Sequence, residues 1–487
     1  MEKITSRKKL LLYGCSGMGV NMMSLMVGSY LCSALLTGGF DANVEFWTFM
    51  NRDLVLAEPL FDMGLFGGIA TVWSLIILVS KILDGIIDIP LSSFTDRLKT
   101  RWGRRRPSLL IGFIPMVIVY VLFLFPPLNG ENIILNTVWF GVLLCIFYTF
   151  YTLTMLTFYA TFPEVTEKES DTVFLSNVKS VCDIVYFTLG YALIPVFIGA
   201  GINIRFVALI FLPLSLLMLI PLFMLKEKST KGDNAQPAEG AEEKEKELPP
   251  LKLGQSIACA FKNKTFIYWM FTTAVMNFGL QLFLGGINEI FSFLNLNMTI
   301  VMAFAFAPVP FTLILYNKLI KKFGLGLAYK YILLMFSIGM FVFFMCGMFS
   351  GSLNDVSRTI VGVLGGILAS FSIGAFFSVG YTVPSHLAQV EFDKKGVSVS
   401  SMYFAVQGLF EGIAAGLATG PMLIFLKQGD GTNSYIGYLP IVVIIACVIA
   451  FAMSFGFSKT VSQMGKLPLP LSAMEQQPLE QQTNDNQ

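Results

Sequence analysis

Twelve apolar stretches follow one another along this chain, each long enough to cross about 30 Å of hydrocarbon as a helix. They fall at 10–36, 66–90, 108–127, 133–162, 173–200, 204–225, 265–288, 297–316, 328–349, 358–384, 398–425 and 436–457. Inside a bilayer no water is at hand for backbone N–H and C=O groups, so such segments span as α-helices. Composition agrees, because 55% of the 487 residues are hydrophobic and only 13% are charged, too little polar surface for a water-soluble globule. The expected fold is an all-α membrane protein of about twelve transmembrane helices.

Several function classes drop out at this level. With 33 basic against 31 acidic residues there is no concentrated basic surface, and no nucleic-acid partner is expected. Cys15, Cys32, Cys145, Cys182, Cys259, Cys346 and Cys447 lie in or beside apolar stretches, without the CxxC spacing of metal or redox sites. The single histidine, His386, offers no nucleophile triad, and no GxxxxGK[ST] loop is present to cradle a phosphate. No enzymatic activity and no cofactor are expected. The apolar run after the basic start, Met1 to Leu36, is too long for a cleaved secretory signal and reads as the first span.

The spans divide six and six. Between them, residues 226–264 contain STKGDNAQPAEGAEEKEKELPP, a composition that cannot bury a core and reads as a flexible linker. The expected organisation is 1–225 as an N-terminal bundle, 226–264 as a cytoplasmic linker, 265–457 as a C-terminal bundle and 458–487 as a disordered cytoplasmic tail. With both termini in the cytoplasm, only Arg52, Arg205, Arg358 and Lys427 fall on the outer side, as the positive-inside rule requires. The localisation expected is the inner (cytoplasmic) membrane of the cell. The long acidic loop from Gly38 to Leu65 reads as decoration rather than a lid. Each half has a short basic loop with a glycine after its second span, Asp96 to Pro107 and Asn317 to Gly324. Six plus six helices, a central linker and matched loops describe the major-facilitator architecture, in which two bundles rock about a site near the bilayer midplane.

Ionisable groups inside spans cost roughly 2.5–3.5 kcal/mol each on insertion scales, so each needs a partner, a wet cavity or a task. The second span carries Lys81, Asp84 and Asp88 at i, i+3 and i+7, within about 60° of one helix face. Two carboxylates one turn apart offer hard oxygen ligands to a small cation such as sodium, and the same pair can hold a proton. In the alternative reading Lys81 neutralises one aspartate and the triad locks the helix to its neighbours. Lys179 and Asp183 form an i, i+4 pair in the fifth span, open to a salt bridge or to solute contact. Glu411 in the eleventh span lacks a local partner, and either lines the cavity or answers Lys179 across the bundles. In the basic loop, Asp96 and Arg97 with Arg104 read as an inward-gate latch or as topological anchors facing anionic lipid. Pro308 and Pro310 allow the eighth span to bend.

The order Lys81-Ile-Leu-Asp84-Gly-Ile-Ile-Asp88-Ile-Pro90, then Thr95-Asp96-Arg97 and Trp102-Gly103-Arg104-Arg105-Arg106-Pro107, resembles the glycoside-pentoside-hexuronide:cation symporters typified by melibiose permease. The resemblance implies that Asp84 and Asp88 hold the coupling cation, helped by a fourth-span threonine that aligns, through Phe147-Tyr148-Thr149, with Thr149. The family's sugar-binding acids are replaced here by Asn21 and Thr152, and its fourth-span tryptophan by Leu156. Its fifth-span basic residue matches Lys179 only with a one-residue shift, and its eleventh-span lysine falls among Gln407 to Glu411, where there is no cation. Charge-assisted bonds to sugar hydroxyls are thereby weakened, so cation coupling is better supported than sugar as cargo.

The reading is cation-coupled symport of a small polar solute, a sugar or glycoside in the first instance. Sodium or a proton is expected at Asp84, Asp88 and Thr149; Asn21, Tyr148, Thr152, Lys179, Gln407 and Glu411 are expected to face the solute. Lys81, Asp96, Arg97 and Arg104 are assigned to gating. The expected partners are the solute, the coupling cation and membrane lipid, around a monomer. The alternatives are a lipid, lysolipid or other non-sugar carrier on the same scaffold, and a non-transporting membrane sensor.

Overall fold

A computed structural model describes residues 3–4, 6–37, 39–40, 54–55, 72–125, 133–166, 169–227, 261–306, 308–349, 354–395, 400–427 and 435–464. Helices follow the apolar stretches, as backbone satisfaction in lipid dictates. In the first half these are α1 (Arg7–Gly14, then Cys15–Gly17, Met18–Leu25, Met26–Leu31 and Cys32–Thr37), α2 (Val72–Arg97) and α3 (Arg105–Phe123). They are followed by α4 (Ile133–Ala160), α5 (Glu169–Thr188, Leu189–Leu193 and Ile194–Gly199) and α6 (Ile204–Phe211, Leu212–Met218 and Leu219–Met224). The second half holds α7 (Lys264–Gly285), α8 (Met298–Phe306, then Val309–Phe323) and α9 (Leu325–Met348). After these come α10 (Asp355–Lys395), α11 (Ser400–Leu417, Ala418–Met422 and Leu423–Lys427) and α12 (Leu439–Met464).

Ten helices are long and apolar enough to cross a membrane by themselves. The exceptions are α2 and α8, each for a local reason. Every 18-residue stretch of α2 contains all of Lys81, Asp84 and Asp88. α8 is divided before Val309, where Pro308 precedes the second segment and Pro310 lies in its first turn, the position where proline costs a helix no hydrogen bond.

Several boundaries differ from the sequence expectation. α10 has 41 residues and ends at Lys395, about 60 Å of helix at 1.5 Å per residue, so it extends well beyond the span expected at 358–384. α12 runs to Met464, and Ser458 to Met464, expected in the tail, are helical. α2 continues to Arg97 instead of stopping near Pro90. At the two ends of the expected linker, Glu227 is bonded to the start of α3 and Asn263 caps α7 by accepting from the Phe266 N–H at 3.3 Å. The linker's middle, 228–260, the tail from 465, most of the acidic loop, 41–53 and 56–65, and the first residues of the expected second span, 66–71, lie outside the described residues. Of that loop, Gly39–Phe40 pairs antiparallel with Leu54–Val55.

The bundle is apolar outside and largely apolar within, with its polar side chains gathered at a few buried places. On α3, Ile111, Ile114, Ile118 and Leu122 face outward while Leu109, Phe113, Met116 and Tyr120 are buried, two faces of one helix at the 3.6-residue period. α2 packs on α4 and α3 on α4 in the first half; in the second, α7 packs on α12, and α9 on both α10 and α12. The repeat seen in the sequence recurs in the backbone: Gly103 and Gly324, just ahead of α3 and α9, take φ +87° and +83°, a left-handed conformation that glycine adopts at little cost.

The halves meet along α2 and α11. Gly408, Gly412, Gly416 and Gly420 recur every four residues on the face of α11 that touches α2. A Cβ on Gly412 would lie 2.6 Å from the Lys81 carbonyl oxygen, and one on Gly420 2.5 Å from that of Ser74. Gly85 answers from α2, where a Cβ would lie 2.9 Å from the Gly408 carbonyl oxygen. Small residues at this spacing let two membrane helices touch backbone to backbone.

Candidate functional site: a cavity between the halves with ionisable side chains

A hydroxyl inside an apolar helix is usually satisfied by the carbonyl four residues back. On α4, Thr149, Thr154 and Thr157 donate in this way to Cys145, Phe150 and Leu153 at 2.8, 2.7 and 2.7 Å. Thr152 is different, since its Oγ1 donates to Asp84 Oδ1. Of these α4 threonines the one bonded to an α2 carboxylate is Thr152, while Thr149, the threonine given by resemblance, donates to its own helix. Thr152, expected to face the solute, stands against Asp84 and is not among the cavity-lining residues. Asp88, one turn further along α2, places Oδ2 3.7 Å from where a Cβ of Gly408 would stand, against the junction with α11. Among the described residues no three His, Cys, Asp or Glu side chains gather into a metal cluster. A cation here would rest on the two carboxylates and neighbouring neutral oxygens.

Above this pair lies a cavity of about 270 Å³. Four predicted residues line it: Asn21, Lys81, Asp84 and Tyr148. Lys81 places Nζ 3.8 Å from the centre of the Tyr148 ring, a cation–π contact. The cavity also draws on Ser24, Ser29, Tyr151, Tyr186, Phe187, Tyr191, Gln281 and Thr419, none singled out from the sequence. Tyr186, Phe187 and Tyr191 form a stacked wall, with successive ring centroids 4.6 and 5.9 Å apart. Three π-helical turns, Met26–Leu31, Leu189–Leu193 and Ala418–Met422, bring Ser29, Tyr191 and Thr419 to the lining. Such turns insert one residue and re-aim side chains, and are frequent at functional sites. Two hydrogen bonds clamp the first two turns together: Tyr30 donates to the Gly190 carbonyl at 2.8 Å, and the Ser29 and Tyr191 hydroxyls lie 2.9 Å apart.

Asn21 belongs to a second network beside the cavity. Its Nδ2 donates to Asp183 Oδ1 at 3.2 Å, and its Oδ1 accepts from the Tyr151 hydroxyl at 3.1 Å. Asp183 in turn pairs with Lys179 at 2.6 Å. Of the two readings left open for Lys179, the structure forms the salt bridge; Lys179 is not among the lining residues. Gln407 and Glu411 also stand away from the lining. Gln407 Nε2 donates to Glu411 Oε1 at 2.8 Å, and Gln407 Oε1 accepts from the Trp269 indole at 2.9 Å. Glu411 thus neither faces this cavity nor answers Lys179.

At the basic loop, Asp96 and Arg97 end α2, and their side chains lie outside the described residues. Arg104 precedes the first turn of α3. The charge held at that helix start comes from Glu227, whose Oε2 accepts from the Arg105 and Arg106 backbone N–H groups at 2.9 and 3.2 Å, a carboxylate on a helix N-terminus.

A polytopic helical bundle with ionisable side chains around a cavity between its halves is the arrangement of a membrane transporter. The chain belongs to the MFS/sugar transport protein family, whose pattern matches residues 12–455. A 91-residue segment is 37% identical to the putative glycoside/cation symporter YagG of Escherichia coli (strain K12). That match spans 18% of this chain and 20% of the relative. Among solved structures, the fold is similar to nucleoside transporter NupG, with a TM-score of 0.58 at 15% identity over 95% of this chain and 100% of that one. It is also similar to a bacterial homologue of the human lysosomal transporter Spinster in an inward-facing, unoccupied conformation, with a TM-score of 0.53 at 12% identity over 95% and 98%.

Proposed function

We propose that this transporter is a cation-coupled symporter carrying a small polar solute, a sugar or glycoside, across the cytoplasmic membrane with both termini in the cytoplasm. The carrying observation is that one carboxylate, Asp84, serves two surroundings: it lines the cavity and accepts from Thr152, which does not line it. A cation bound at Asp84 and Asp88 screens their mutual repulsion and frees Lys81 to face solute, so that ion and solute favour one another. The cavity volume of about 270 Å³ lies at the small end of ligand pockets, which run to about 1,000 Å³, and suits one ring better than a lipid. One monovalent cation moving down about 100 mV releases roughly 2.3 kcal/mol, and a tenfold concentration ratio adds roughly 1.4 kcal/mol.

A second solute class, a nucleoside, is favoured by the stacked wall of Tyr186, Phe187 and Tyr191, which offers flat π-faces to a base. The similarity to a nucleoside transporter is one of fold and does not itself bear on the choice. Uptake into proteoliposomes from a labelled panel of pentoses, hexoses, glycosides, uronates, nucleosides and lysolipids, with and without an imposed sodium or proton gradient, tests both. Accumulation of one class under one gradient is expected. Uptake that ignores every imposed gradient would remove the coupled reading.

A further inference from the structure

We propose that Glu411 is a proton-binding group in the second half of the transporter, separate from the carboxylate pair on α2. Its role in transport rests on the coupled reading above; its protonation does not.

A carboxylate in a membrane span needs a counter-charge, a bound cation or a proton. Glu411 pairs with no lysine or arginine among the described residues. Lys179, the basic side chain predicted to answer it, is taken by Asp183 at 2.6 Å.

The neighbouring amide then decides between a metal cation and a proton. The Trp269 indole N–H can only donate, so the Gln407 atom that faces it at 2.9 Å has to be the carbonyl oxygen. That fixes the orientation of the whole amide. The NH2 group of Gln407 is left pointing at Glu411 Oε1 at 2.8 Å. Sodium coordinates oxygen, and here the Gln407 amide presents its NH2 rather than its oxygen to the carboxylate, Asn277 likewise turns its NH2 to the Glu411 carbonyl, and the Thr273 hydroxyl is a further hydrogen-bond partner of Glu411. With no lysine or arginine beside it among the described residues, a proton is what removes the charge: Oε1 accepts from Gln407, and a hydrogen taken from water leaves Glu411 a neutral acid within the helix bundle.

The packed surroundings add no cation. On α7, Trp269 and Asn277 face this turn of α11; Asn277 donates to the Glu411 carbonyl at 3.0 Å. From α9, Tyr329 lies within electrostatic reach of Glu411, and its ring sits 5.5 Å from that of Trp269. Lys81, Asp84 and Asp88 of α2 lie behind the other face of α11, where Gly408 and Gly412 make contact. The side chains of the distal end of α10 lie outside the described residues. One turn of α11 thus carries Glu411 and, at Gly408, the backbone that faces Asp88 of α2, so α11 is shared by the proton site and the α2 ion site.

Infrared difference spectra of the purified full-length protein in lipid bilayers, titrated from mildly acid to mildly alkaline pH, test this without a known solute. The expected result is a carbonyl band of a protonated carboxylic acid at neutral pH, lost in Glu411→Gln, displaced but present in Glu411→Asp, and retained in the Asp84→Asn/Asp88→Asn double variant. Sodium should leave the band in place. A spectrum that Glu411→Gln leaves unchanged, the absence of any such band at neutral pH, or the loss of the Glu411-dependent component on adding sodium would each overturn the proposal. Gradient-driven uptake by the Asp88→Asn variant reports on the symport reading alone, so the two can fail separately.

Discussion

The Asp88 carboxylate faces the backbone of Gly408, with Oδ2 3.7 Å from the place a Cβ would occupy. A carboxylate of one half therefore faces the other half at a residue with no side chain of its own. Above it, backbone contact continues through Gly412, Gly416 and Gly420. Any change at Asp88 that alters charge or hydration is felt directly at the joint on which the halves would rock.

Filling that joint should separate it. In Gly412→Leu the Cβ alone would stand 2.6 Å from the Lys81 carbonyl oxygen, and that neighbour is backbone that cannot turn aside. Overpacking of this kind typically costs about 1–3 kcal/mol. The variant is expected to insert, to melt at lower temperature in detergent and to lose most solute uptake. Thermal unfolding alongside uptake checks this, and wild-type values for both would show that the contact is dispensable.

Two threonines on α4 separate the resemblance from the geometry. Thr152→Val removes the hydroxyl that meets Asp84, while Thr149→Val removes one already bonded to its own helix. Hydrogen bonds to charged groups contribute about 1.5–3 kcal/mol, so Thr152→Val should weaken the cation's activation of uptake by about tenfold or more. Thr149→Val should leave it within about twofold, since a helix-internal hydroxyl is close to neutral. Half-maximal activating cation concentration is the quantity to compare.

How much could be read without coordinates varies by residue. The spans and the α2 triad were legible because an apolar run of membrane length and charges within it are both local signals. The extent of α10 and the helical start of the expected tail were not, because a helix can continue into water once its residues tolerate helix, and hydropathy marks only the lipid boundary. Asn21 and Tyr148, expected to face the solute, line the cavity, together with Lys81 and Asp84, which were assigned to gating and to the cation. Lys179 and Glu411 stay out of it because each found a nearer partner, Asp183 and Gln407, which spacing alone leaves undecided. Gln281 and the wall from Tyr186 to Tyr191 had no signal at all: an amide or a tyrosine in a span is ordinary, and the π turn that aims Tyr191 leaves no mark in hydropathy.

Gln281 supplies a prediction of its own. It is an amide that α7 of the second half offers to the cavity, and the other polar side chain there, Thr419, donates to the Ala415 carbonyl of its own helix at 2.8 Å. Gln281→Leu keeps the volume and removes the polar group. It should raise the KM for solute by about tenfold, the effect of one hydrogen bond of about 1–1.5 kcal/mol, while cation binding measured without solute is unchanged. An unaltered KM would remove Gln281 from the solute contacts.

The most direct measurement compares two fluxes in proteoliposomes containing Asp84→Asn: accumulation against an imposed cation gradient, and exchange of internal for external solute with no gradient. Loss of the negative charge should abolish accumulation while exchange continues, because the cavity keeps its shape and only the ion's foothold is gone. Accumulation that matches wild type would contradict the coupled mechanism and return Asp84 to a purely structural role.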